Sequence, residues 1–169
     1  VCLHNSFLAG KYPDHAQVSA FGDVMPHAPC PSSRAVRSYM QALVTDLTTN
    51  YPVTALEVET LNFNGHLQGH YHDKIGIPIG PLEAFLFSLC FCDHCRDRAG
   101  DRNVDIDSIR AKIRDDLNAF CSNGTASEQT IEDYVGNDPA LQDMVKMRAD
   151  TVESLTRMVK GAVSIPLYY

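Results

Sequence analysis

No stretch of this chain is long and apolar enough to span a bilayer. A membrane helix needs about 20 apolar residues, and the longest apolar patch, 84-AFLFSLCFC-92, falls well short. Positive charge is scarce: 14 Lys and Arg stand against 21 Asp and Glu, for a net charge of −7. Such a chain lacks the electrostatic footprint that holds nucleic acid or anionic lipid, so neither is expected as a partner. Cysteine is sparse, six in 169 residues, which excludes the disulfide-dense mini-proteins. No internal repeat, low-complexity tract or signal peptide is visible. The missing signal peptide favours the cytoplasm. Secretion stays open, because the chain opens at Val1 rather than Met and is expected to be a piece of something longer.

The remaining composition is that of a globular protein. Hydrophobic residues make up 44% and charged residues 21%, which separates the chain from disordered sequences. Its length suits one domain.

Four segments are predicted as helices. In 31-PSSRAVRSYMQALVTDLTTNY-51, Val36, Tyr39, Met40, Leu43, Val44 and Leu47 recur at helical spacing after a Pro-Ser-Ser start, and Pro52 ends the run. A second helix is predicted from Asp105 or Asp107 through Ile109, Ile113, Leu117 and Phe120. A third is predicted over 138–163, with Asp138 as cap and Pro139 in the first turn. A fourth is predicted from Pro81 to about Asp97. Strands are predicted at 1-VCLHNSF-7, at 54-TALEVETLNF-63 and at the beginning of 164-SIPLYY-169. Residues 8–30 and 122–137 read as loops.

The order strand, helix, strand, helices, strand implies a parallel sheet. Two or three strands cannot bury such a sheet on both faces. The chain is therefore expected to be a single segment, residues 1–169, of a larger domain truncated at both ends. The expected fold class is α/β, part of a (β/α)8 TIM-type barrel with parallel strands and flanking helices. A doubly wound sheet is the alternative.

In a barrel, chemistry sits at the carboxyl ends of the strands. Two such ends are readable. One offers His4 and Asn5. The other offers Glu57 and Glu59, which alternate with Leu56 and Val58 and so share a strand face. Glu59 lies nearer the top and is the better catalytic candidate, with Glu57 behind it. The loop 66-HLQGHYHDK-74 brings His66, His70, His72 and Asp73 directly after that strand, as substrate contacts or as metal ligands. Asp23 and His27, in 23-DVMPH-27, are further candidates for binding substrate.

The densest chemical signal is 89-LCFCDHCR-96, with Cys90, Cys92 and Cys95 inside six residues. Three thiolates at this spacing reach one ion, and zinc takes four such ligands tetrahedrally. Cys90 and Cys92 would fall on different faces of a helix, so the chain near Cys92 must leave helical geometry. Cys30 is favoured over His94 as the fourth ligand, because His94 is too tightly spaced to converge. A disulfide and unbound thiols are the competing readings. A thioredoxin-like redox context is missing.

The run 31-PSSRAVRSYMQALVTDLTTNYPVTALEVE-59, followed by Cys-Phe-Cys-x-x-Cys at 90–95, resembles (β/α)8-barrel glycoside-hydrolase-like proteins. The helix 145-VKMRADTVESLTRMVKGAV-163 resembles one that precedes a barrel strand. In the zinc-containing beta-galactosidases a Cys-x-Cys-x-x-Cys plus one upstream Cys holds a structural zinc. The resemblance carries that role to Cys90, Cys92 and Cys95, with Cys30 upstream. It implies a carbohydrate-active enzyme with Glu59 as general acid/base and a sugar or other small polar substrate. Where many retaining members have Asn-Glu at a strand end, this chain has Val58-Glu59. The second carboxylate would lie beyond Tyr169, so the segment alone is expected to be inactive.

Two other functions compete. One is a metal-dependent sugar isomerase or epimerase, using Glu59, His70 and His72 around a divalent ion. The other is a non-catalytic barrel that binds carbohydrate or protein.

Overall fold

A computed structural model of the protein describes residues 1–65 and 79–169. Among them are seven helices and two separate two-stranded sheets. Helix α1 (Ser6–Lys11) starts where the Asn5 side chain accepts hydrogen bonds from the Phe7 and Leu8 amides. A short 3-10 turn (Pro13–His15) leads into an antiparallel hairpin of β1 (Ala16–Val18) and β2 (Val24–Pro29). Gly22, at φ +96, sits in the hairpin turn, where a backbone that residues with a Cβ rarely adopt is required.

Helix α2 (Arg34–Asn50) begins at Ser33, whose hydroxyl accepts from the Val36 amide, and buries Val36, Met40 and Val44. Strand β3 (Leu56–Glu57) follows. Helices α3 (Pro81–Phe87) and α4 (Asp93–Gly100) are separated by a non-helical stretch that carries Cys90 and Cys92. Helix α5 (Ile106–Asn123) is capped by Asp105 and stopped by Gly124 at φ +68. The short α6 (Ile131–Gly136) precedes α7 (Pro139–Gly161), whose cap Asp138 accepts from the Leu141 amide. Strand β4 (Leu167–Tyr168) pairs in parallel with β3.

Helix α7 organises two cores along its length. Its first half places Leu141, Met144 and Met147 against α3, α4, α5 and the cysteines. Its second half places Leu155 and Val159 against Val36, Met40 and Val44 of α2 and against Leu56, Val58 and Leu61. Burying each large aliphatic side chain contributes about 1.5–3 kcal/mol, so this two-sided stripe ties the halves of the molecule together. No helix among the described residues is long and apolar enough to cross a membrane.

This architecture overturns the expected barrel segment. Parallel pairing among the described residues is confined to Leu56 with Leu167, Glu57 with Tyr168, and a single bridge between Cys2 and Glu59. The other sheet is antiparallel. The alternative, a doubly wound sheet, is absent from the described residues for the same reason: two-residue strands do not build a continuous parallel sheet, whose strands typically run to five or six residues.

The cause is local. The predicted strand at 54–63 is halted at Thr60, which takes φ +58, a left-handed conformation that an extended strand does not pass through. The predicted strand at 1–7 yields to α1 once Asn5 caps it. The loop expected over 8–30 contains α1 and the hairpin, and the single helix expected over 81–97 is two helices.

Candidate metal centre

Cys30 follows the last residue of β2. Its amide donates to the His15 carbonyl at 2.7 Å, and its carbonyl accepts from Ser33 at the start of α2. The other three cysteines come from the break between α3 and α4. There the Phe91 amide donates to the Val18 carbonyl at 2.8 Å, which lays the segment along β1. Cys92 is the N-cap of α4, in extended conformation, and Cys95 falls in that helix's first turn. Helical geometry is therefore abandoned at Cys92, and this turns Cys90 and Cys92 towards one point.

All four cysteines are buried, and their Sγ atoms lie within 4.8 Å of one another. Cys30 Sγ is 3.5 Å from Cys92 Sγ, 3.6 Å from Cys95 Sγ and 4.0 Å from Cys90 Sγ. A tetrahedron with metal–sulfur bonds of about 2.3 Å sets sulfurs about 3.8 Å apart, and the observed spacings straddle that value. A disulfide requires about 2.05 Å, and every cysteine is free. Cys2 and Cys121 are exposed and stand apart from the cluster.

Burial pushes the Cys30 thiol well up, reinforced by its hydrogen bonds with Cys90, Cys92 and Cys95. A cation bound by thiols displaces their protons. The donor set can thus hold a metal ion.

Around the cluster, the Cys95 thiol donates to Ser32 Oγ at 3.4 Å. His94 is not part of the converging group and stacks on His15. Arg148, on α7, places its guanidinium 4.6 Å from the Phe63 ring centroid. Its Nη1 is enclosed and has no hydrogen-bond partner among the described residues. Burial pushes the Arg148 pKa down, while Cys90, Cys95 and Cys30 push it back up. Sequence reasoning missed Arg148. The signal was there: with Met144, Met147 and Thr151 it falls at i, i+3, i+4, i+7, on the apolar stripe of α7.

The remaining candidates divide. His4 is half-buried, its Nε2 3.2 Å from the Asn62 carbonyl, and burial lowers its pKa. His27 Nε2 accepts from the Asn64 side-chain amide at 3.1 Å, and the Asn64 backbone amide donates to Gln17 Oε1 at 3.2 Å. Asn62 Oδ1 and Asn64 Oδ1 are buried without partners among the described residues. Gln17, Asn62 and Asn64 thus join His4 and His27 at one polar cluster.

Asn5 is engaged as the α1 cap, and the Asp23 carboxylate accepts from Ser19 Oγ at 3.1 Å within the hairpin turn. Glu57 and Glu59 are exposed, on the strand face opposite the buried Leu56 and Val58. His66, His70, His72 and Asp73 lie outside the described residues.

The chain matches no known family model, and neither a curated protein nor a solved structure is similar to it.

Proposed function

We propose that Cys30, Cys90, Cys92 and Cys95 hold one zinc ion as a structural, non-catalytic centre. The observation that carries this reading is the set of four buried sulfurs within 4.8 Å of one another. Four thiolates complete the tetrahedral shell of zinc and leave no position for water or substrate. The ion's contribution is therefore to folding free energy rather than to Lewis-acid chemistry. It clamps the hairpin to the α3–α4 break. Iron suits the same donors, and metal content separates the two. Purified under reducing conditions, the whole chain should carry about one zinc, lost in Cys92→Ser. A wild-type protein that takes up neither metal on reconstitution sinks the proposal.

A second reading concerns the polar cluster of His4, Gln17, His27, Asn62 and Asn64. We propose that this face binds a small polar ligand of the carbohydrate class, whose hydroxyls donate to the Asn62 and Asn64 side-chain oxygens, which have no partner among the described residues. The resemblance to glycoside hydrolases supplies the chemistry, with the exposed Glu59 as general acid/base and a second carboxylate required beside it. The test is turnover of a panel of aryl glycosides by wild type and Glu59→Gln, together with sugar-induced shifts of the His4 and His27 ring signals. Equal turnover by the two proteins removes Glu59 from the chemistry. No turnover and no shifts with any sugar remove the reading.

A further inference from the structure

We infer that the guanidinium of Arg148 is the buried counter-charge of the metal-bound tetrathiolate, a positioning residue that raises metal affinity without touching the ion. The inference rests on the metal centre proposed above.

A divalent ion with four thiolates carries a net charge of −2. The cluster lies in a core of Leu89, Phe91, Met144 and Met147. An isolated anion is costly to hold in such surroundings, and so is an isolated guanidinium. The molecule encloses the Arg148 Nη1 beside that core, and an ion held by the four cysteines would supply the anion. Arg148 Nη1 is enclosed without a hydrogen-bond partner among the described residues. Its planar group is held at 4.6 Å from the Phe63 ring centroid, and Phe63 belongs to the same buried cluster as the four cysteines. The acids nearest along α7 are engaged elsewhere: Asp150 pairs with Arg102 at 2.7 Å, and Glu153 with Arg157 at 2.6 Å. Arg148 follows Met147 on α7, and Met144, Met147 and Phe63 share one buried cluster with Cys30, Cys90, Cys92 and Cys95; those thiols oppose the burial that lowers its pKa. Neutral thiols leave its charge uncompensated, whereas thiolates on a metal compensate it. The same side chain therefore acts with opposite sign in the two states.

That reversal is the test. Zinc affinity is measured by competition with a chromophoric chelator for wild type, Arg148→Met and Arg148→Lys, and both metal-free and zinc-loaded proteins are melted. Arg148→Met should bind zinc about 10–100-fold more weakly, with a loaded protein that melts lower and a metal-free protein that melts no lower than wild type. Arg148→Lys, which keeps the charge, should recover most of the affinity. If Arg148→Met does not fold, Arg148→Gln, neutral and of similar reach, is read the same way.

Wild-type affinity in the neutral variant overturns the inference alone. Equal losses in the Lys and neutral variants, with metal-free melting falling in parallel, also overturn it, since that is the mark of packing. A wild type that binds no metal overturns the centre and this inference together.

Discussion

His15 and His94 stack nearly parallel, ring centroids 5.1 Å apart and planes at 13°, with His15 Nδ1 3.0 Å from His94 Nε2. His15 also accepts the Cys30 amide through its carbonyl and lies 3.0 Å from Ser33 Oγ. His94 stands between Cys92 and Cys95. The pair therefore braces both cysteine-bearing segments from outside the sulfur cluster. Replacing His94 by Ala should cost about 1–2 kcal/mol in urea unfolding, for the lost hydrogen bond and stack. Metal stoichiometry should be unchanged. Loss of the ion in that variant would make His94 a ligand and displace one of the four cysteines.

Thiol labelling should split the cysteines into two classes. In the metal-loaded native protein Cys2 and Cys121, both exposed, should react quickly, and the four buried cysteines slowly. Chelation followed by denaturation should release all six. Six fast thiols in the native, loaded state would contradict the buried cluster.

Leu155 is fully buried among Met40, Val44 and Val58, where α7 crosses α2. Leu155→Ala should destabilise the protein by about 3 kcal/mol, the transfer and cavity terms combined. Metal content should stay the same, because Leu155 belongs to the core remote from the sulfurs. A change below about 1 kcal/mol in denaturant unfolding would mean that the two helices do not share this core.

His4 gives the fold an acid-side pH dependence. Burial lowers its pKa below 6.5, and the nearby His27 lowers it further, against the opposing contact with the Asn62 carbonyl. The folded state thus binds fewer protons than the unfolded state below pH 6.5. Its contribution to stability is complete above that value and is lost as pH falls through the folded-state pKa. Comparing unfolding free energies at about pH 7.5 and about pH 5.5 should show a steeper decline for wild type than for His4→Gln. Parallel declines would assign the effect to other groups.

What the sequence disclosed and what it hid follow from the range of each signal. The helices α2, α5 and α7 were legible to within a few residues, because apolar period and caps such as Ser33, Asp105 and Asp138 are local. The cysteine convergence was legible for a similar reason: Cys90, Cys92 and Cys95 meet only if helical geometry fails at Cys92. The hairpin was hidden because β2 contains Pro26 and Pro29, which read as loop breakers. Arg148 was hidden because a charged residue on an otherwise apolar stripe passes for an exposed one. The barrel was an overreach from a local pattern. Alternation at 56–59 says which face is buried, and not how long the strand is or how many strands lie beside it. A cysteine knot likewise specifies its own few residues and leaves the surrounding architecture open.

Cys30 precedes Cys90 by 60 residues, whereas Cys90, Cys92 and Cys95 are nearly adjacent. In the proposed metal centre, that spacing would set an order of assembly. The three close thiols can gather an ion with little chain to organise, since closing a short loop costs less entropy than closing a long one. Cys30 would then make the last bond, across the long loop, and bring the β1–β2 hairpin down onto the amino end of α4. Metal supply during synthesis would therefore decide when the hairpin is fastened to the α3–α4 break.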